Sequence, residues 1–518
     1  MSATVRSSLA TPDQAFGLPP VPTLADVLKA LDRHPDLTPR RRADLRSAVI
    51  SVARILGLPP ASTPARLDLL RRQLARVLPA AHDMTRPRWN TVRSLFGKAL
   101  RRAGIEVLPG RFLAKLDPAW AALRSRLVTK THRDRLSRLI HYCSANGIAP
   151  EAVDDVVIDA FREVMLNASL VRQPKIGAQR AVVCWNEAVD EVPGWPQRKL
   201  TVLELRDRYT LPLTDFPPSF QADVEAYLDH LAGKDPLVEL AFRPQRPRTI
   251  ETRRYELGQI ASALVRQGRA PATIRSLADL VNPEAAKLAL RFILARSGNK
   301  VTTQTGGLAG LLLAVARHWV KVDEATEAAL KAITKRCRPP KQGMNEKNRT
   351  TLRQFDDPVV VRKLLRLPDE VLAELRHGSE LTPAQAQRLL RALAIRLLQV
   401  APIRLQNLAG LQLQKHLIRV GSGRNAGWYL HLPAEEVKNS VALEYPLPAA
   451  AVQILDVYLA KAHPMLAQGQ SMFLFPGRAG GPRSLNGFGA TLRDFVARET
   501  GIRITVHQFR HLAGFLYL

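Results

Sequence analysis

From Thr23 to about residue 170 apolar residues return every three to four positions, with Arg on the faces between them. That period predicts amphipathic helices rather than strands. One phrase recurs. Leu45 to Gly57 runs into Gly57-Leu58-Pro59-Pro60, Leu136 to Gly147 into Gly147-Ile148-Ala149-Pro150, and Leu257 to Gly268 into Gly268-Arg269-Ala270-Pro271. Each has apolar residues four and eight positions before the glycine: Ala53 and Val49, Cys143 and Leu139, Leu264 and Ile260. Glycine suits a left-handed C-cap, and proline three residues later blocks continuation. The stop signal is generic, so the phrase reads either as three independent helix ends or as one helical hairpin unit used repeatedly.

The periodicity also sets boundaries. Residues 1–20 mix Ser, Thr, Pro and Gly without a period and read as a disordered arm, followed by an N-terminal helical domain over 21–170. Over 171–235 the pattern loosens around Trp185, Trp195, Pro212, Pro217 and Pro218, which predicts a connecting region. A second helical domain follows over 236–335, then a basic linker over 336–349 with Arg336, Arg338, Pro339, Pro340, Lys341 and Gly343. From 350 to 518 the grammar changes. Helices reach about residue 412, with the strongest period over Ala384–Leu398, before two strand-like runs, Trp428–Leu432 and Val441–Leu447. The charged segment between them, Pro433–Ser440, predicts the turn of a β-hairpin, and helices resume from Ala449. The glycines of 477–481 lack phosphate-binding spacing and read as a plain loop.

Charge narrows the partners. With 76 Lys and Arg against 46 Asp and Glu the formal net charge is +30, which favours a polyanion and predicts salt-sensitive nucleic-acid binding. An Arg-rich composition without such a partner is the plainer alternative. Three widely spaced cysteines, Cys143, Cys184 and Cys337, match neither a disulfide framework nor a zinc pattern, so no metal is expected. No signal peptide is visible, and the longest apolar stretch, Leu308–Ala316, is too short to span a bilayer. A cytoplasmic protein without a membrane partner is the expectation.

Four residues carry the candidate chemistry. Arg404 stands at the edge of a ridge formed by Leu405, Leu408 and Leu411, and Lys438 stands on the hairpin turn. His507 and Arg510 open an apolar helical run roughly a hundred residues after Arg404, one helical turn apart. A guanidinium can hold the non-bridging oxygens of a phosphodiester while an imidazole exchanges a proton. Singly, each has a bland reading: a solvated surface arginine, a solvated turn lysine, a packing histidine. His511 is read as a packing or hydrogen-bonding neighbour.

In this order and at these spacings the four residues resemble the active site of the tyrosine recombinases, the phage integrase family. The resemblance covers roughly residues 345–518, and the helical domains before it are similar in kind to that family's core-binding domain. It implies a mainly α protein: tandem helical core-binding-like domains, then a mixed α+β catalytic domain with a small antiparallel sheet. It also implies a mobile-element recombinase that cuts and rejoins double-stranded DNA through a 3′-phosphotyrosyl intermediate, as an oligomer on DNA, with no cofactor. Arg404 and Arg510 would grip the scissile phosphate, Lys438 would protonate the 5′-oxygen, and His507 would assist proton transfer at the nucleophile or hold the phosphate.

Two positions depart from the family pattern. Asn407 stands where an acidic residue commonly follows the first Arg by three, so it can hydrogen-bond but supplies no charge. The nucleophilic tyrosine is expected a few dozen residues beyond the second Arg, whereas the sequence runs eight residues past Arg510 and its one later tyrosine, Tyr517, shares the Arg510 helix. Tyr517 is therefore not expected to attack, and the catalytic domain reads as incomplete at its C-terminus. The expectation is a recombinase inactive as written, with a non-catalytic DNA-binding remnant as the alternative and type IB topoisomerase chemistry as a weaker one.

Overall fold

Two of the recurrent phrases lie in one compact unit and the third in another, yet all three fold alike. In the computed structural model Gly57, Gly147 and Gly268 have φ of 72°, 66° and 94°, the left-handed region open to glycine. Pro60, Pro150 and Pro271 each then open a short 3₁₀ turn, where a missing N–H costs nothing. The residues four and eight positions before each glycine are buried.

The structure describes the chain except for residues 1–20, 106–114, 206–207, 236, 238–242, 341–342, 377–379, 422–426, 468, 470, 478–479 and 518, and the side chains of Arg376 and Tyr517. The expected arm and the Tyr517 side chain lie outside the described residues. What is described is predominantly helical, with one three-stranded antiparallel sheet.

The chain divides into two compact units, Met1–Leu203 with Met344–Leu518, and Glu204–Gly343. The first holds three apolar cores. One gathers Leu24 to Leu100 around the helices Pro39–Leu56 and Arg86–Arg102. A second gathers Trp120 to Leu200 around Lys130–Ala145 and Pro174–Glu191. That last helix runs through the segment read as a connection, and Trp185 and Trp195 are fully buried in the core, ring centroids 5.2 Å apart. In the second unit Tyr209 to Cys337 form one helical core, including Pro218–Ala232, Pro247–Arg266, Pro283–Arg296 and Thr303–Val315.

The remaining core, Leu352 to Leu512, supports the candidate site. Its axis is the helix Pro383–Val400, capped by a Thr382–Gln385 capping box, along which Leu389, Leu390, Leu393, Ala394 and Leu397 are wholly buried. Pro358–Arg376, Ala449–Val457 and Leu485–Thr500 pack around it. Strand β1 (Leu417–Val420) pairs with β2 (Gly427–Leu432), and β2 with β3 (Leu443–Pro446), in the order β1-β2-β3. Leu432 faces Leu443 across the end of the hairpin, so its connection runs from Pro433 to Ala442 and includes the predicted turn. β1 is a strand the periodicity does not predict. Among the described residues no helix is long and apolar enough to cross a membrane.

Candidate active site

Arg404 is placed by the end of one helix and the start of the next. Pro402 has no N–H to extend Pro383–Val400, and Arg404 becomes the N-cap residue of the short helix Leu405–Ala409. Leu408 and Leu411 are fully buried, which holds that helix down and leaves Arg404 half-buried at its head.

His507 and Arg510 lie in the first turn of the helix Val506–Tyr517. Thr505 precedes it, and its N–H and hydroxyl both donate to Gln508 Oε1, at 2.9 and 3.0 Å. Gln508 is buried, and its Nε2 donates to Asn348 Oδ1 at 3.2 Å and Thr351 Oγ1 at 3.0 Å. Val506, Phe509 and Leu512 bury the apolar stripe of this helix, which leaves His507 and Arg510 exposed as neighbours three apart.

The two segments meet. Arg510 Nη1 donates to the Pro402 carbonyl at 2.7 Å, two residues before Arg404. The pKa of His507 is held below the ordinary 6.5, first by desolvation and then by electrostatic repulsion from His511, Arg510 and Arg404. Both effects favour the neutral imidazole. Among the described residues neither Arg404 nor Arg510 pairs with a carboxylate. Two uncompensated guanidiniums around a neutral imidazole make a site for an anion with several oxygens, as a phosphodiester has.

Residues 366–518 match the family model described as the phage integrase family. This segment is a phage integrase domain. No curated protein matches the chain. Among solved structures the chain is similar to a lambda integrase (residues 75–356) dimer bound to a COC′ core site, at 13% identity and a TM-score of 0.32, covering 57% of this chain and 89% of that one. It is also similar to XerH site-specific recombinase bound to a difH substrate, at 13% identity and a TM-score of 0.27, covering 60% and 89%.

Lys438, the fourth expected residue, sits apart from these contacts on the β2–β3 connection of the integrase domain. It is exposed and, among the described residues, its ammonium has no hydrogen bond or ion pair. Its turn is nonetheless tied to the Arg404 helix, because Asn407 Nδ2 donates to the Glu436 carbonyl at 3.1 Å. The uncharged residue at this position is thus a tether between the segments that carry Arg404 and Lys438.

Several supporting residues were missed by reading the sequence. Thr505-x-x-Gln508 is a helix-start signature legible in the sequence, with His507 inside it and Arg510 two residues beyond. His511 is the packing and hydrogen-bonding neighbour expected: its Nε2 accepts from Asn348 Nδ2, 3.3 Å away, and its ring meets His507 edge to face at 5.0 Å. Glu436, held by Lys415 and the buried His416, had no signal beyond its place in a charged turn. Elsewhere among the described residues, His132, Cys184 and Glu187 offer ligand atoms within 4.8 Å of one another. Arg135 already lies 3.7 Å from the Cys184 sulfur, and burial pushes that thiol's pKa up, so this cluster disfavours a cation.

Proposed function

We propose that this chain is a site-specific DNA recombinase of the integrase type, cutting and rejoining double-stranded DNA through a 3′-phosphotyrosyl link. The observation that carries the reading is the convergence of Arg404, His507 and Arg510, with no carboxylate paired to either arginine among the described residues, inside a phage integrase domain. Arg404 and Arg510 bind the non-bridging oxygens and stabilise the charge that grows on them in the transition state. The tyrosine oxygen attacks phosphorus as the bond to the 5′-oxygen breaks. His507, neutral, takes the phenolic proton, and Lys438 gives a proton to the departing 5′-oxygen. The link keeps the phosphodiester's energy, and attack by a 5′-hydroxyl reverses each transfer and reseals the strand. This chemistry uses no metal and no nucleotide.

The helical body of 204–343 is the proposed core-binding domain, with the helical residues 21–170 adding a second DNA-binding part. Assembly of several protomers on DNA belongs to the same reading. The attacking tyrosine is assigned to a residue other than Tyr517, on a segment or protomer that can approach the phosphate from the far side of the leaving oxygen.

The test is to trap the protein on DNA. The natural gene product is incubated with fragmented host DNA, denatured, and probed for DNA that remains attached. Sequencing the attached DNA gives the target, and mass spectrometry of the linked peptide gives the tyrosine. Adducts lost in Arg404→Ala and Arg510→Ala support the reading. Salt-sensitive binding with no adduct from the natural product replaces it with a non-catalytic DNA-binding role.

A further inference from the structure

The β2–β3 connection must hold Lys438 close to a leaving oxygen, yet among the described residues the ammonium itself has no partner. Its neighbour two residues earlier is attached at three points. The Glu436 carbonyl accepts from Asn407 Nδ2 at 3.1 Å, and its carboxylate meets Lys415 Nζ at 2.5 Å and His416 Nε2 at 2.9 Å. His416 is wholly buried and receives the Gln412 backbone N–H on Nδ1 at 2.8 Å. An imidazole that accepts on Nδ1 carries its proton on Nε2, so His416 donates to Glu436 as a neutral ring. Val437, between Glu436 and Lys438, is buried in the integrase core.

We propose that Glu436 is a positioning residue for the general acid: it fixes the base of the turn from which Lys438 reaches the 5′-oxygen. The inference rests on the recombinase reading above. Two physical points favour it over a plain surface ion pair. The partner His416 is buried and locked by the backbone, so the carboxylate is held at a defined place rather than swept over the surface. The carboxylate is also occupied by Lys415 and His416, so it does not pair with Lys438. An ion pair to Lys438 would hold the proton on the ammonium and make it a poorer acid. The arrangement restrains the turn while leaving the acid free.

The step offers a discriminating test. As the tyrosine oxygen–phosphorus bond forms, the bond from phosphorus to the 5′-oxygen breaks and that oxygen takes a proton from Lys438. With sulfur in place of that oxygen, a thiolate departs without needing a proton. Wild type, Glu436→Gln and Lys438→Ala chains are therefore compared on the trapped target duplex with oxygen or sulfur at the 5′-bridging position. Both variants should cleave the oxygen duplex at least about tenfold more slowly, as expected for loss of general-acid assistance, and the sulfur duplex within a few-fold of wild type. Hydrogen exchange over 434–441 should quicken in Glu436→Gln while the Leu405–Ala409 helix keeps its protection.

A Glu436→Gln chain that matches wild type on oxygen overturns the proposal, as does one slowed equally on both duplexes or unchanged in exchange. If wild type cleaves neither duplex, the recombinase reading fails and takes this inference with it. Should Glu436→Gln not fold, Lys415→Met at an exposed position removes one attachment. It should give a smaller loss with the same sulfur rescue, and equal slowing on both duplexes would again overturn the proposal.

Discussion

His507 and Arg510 are one helical turn apart, and each sets what the other can do. The lowered pKa of His507 has three electrostatic contributors besides desolvation: His511, Arg510 and Arg404. A folded-state pKa below 6.5 keeps the ring neutral as pH falls through the range where a free histidine would be half charged. Ring NMR of His507 should therefore show its midpoint below that of a model histidine, and Arg510→Gln should move it upward by removing one cation. A midpoint unmoved by that change would mean the guanidinium is not close enough to matter. Arg510→Lys tests the fork rather than the charge. Lysine cannot donate to the Pro402 carbonyl and two phosphate oxygens in one plane, so cleavage should drop by about 10²–10³-fold while DNA affinity stays within a few-fold. Equal losses in affinity and cleavage would assign Arg510 to ground-state binding alone.

The helix start at Thr505 decides whether these two side chains are presented together. Gln508 is buried; it takes two hydrogen bonds from Thr505 and gives one each to Asn348 and Thr351, all partly buried. Gln508→Ala leaves those partners unpaired and should cost about 1–3 kcal/mol in denaturant unfolding, against about 1 kcal/mol for Thr505→Ala. Equal, small losses would show that the buried amide adds nothing to the cap. Elements with a strong signal were legible in the sequence: the long period of Ala384–Leu398 is the buried axis Pro383–Val400, and the three Gly-to-Pro phrases are left-handed caps followed by 3₁₀ turns. β1 was not, because four residues with only Leu417 buried offer no alternation to read. Pro174–Glu191 was hidden differently. Its tryptophan and the prolines after it look like loop punctuation, although Trp185 is a core residue whose Nε1 donates to the Arg198 carbonyl. At the site, Arg404, Lys438, His507 and Arg510 could be chosen by residue type and order, whereas Glu436 acquires its meaning from His416 and Asn407, which only folding brings near.

Across the whole molecule, the charge of +30 says that a polyanion should bind but not where. Arginine partners sort the candidates. On the face of Pro39–Leu56 beside Arg88, an open groove is lined by Arg42, Arg46, Arg54, Ser47, Ile50 and Arg88. Arg42 is spent on the carbonyls of Leu31, His34 and Leu37, and Arg46 is paired with Asp32. Arg42 thus ties the first helices of the N-terminal core together, and Arg46 sits in an exposed ion pair. Arg54 and Arg88 have exposed side chains and, among the described residues, no ion pair or side-chain hydrogen bond. If this groove tracks a DNA backbone, Arg54 and Arg88 are the phosphate ligands and Arg42 is not. The double change Arg54→Glu and Arg88→Glu should then weaken DNA binding and lower the slope of log K against log salt by about 2, roughly one for each phosphate no longer neutralised. Arg42→Ala should leave that slope alone and lower the unfolding midpoint instead, because three carbonyls lose their donor. Titrating DNA into each variant at several salt concentrations separates the cases. An unchanged slope in the double variant would take this groove out of the DNA interface and send the search to the arginines of the other helical cores.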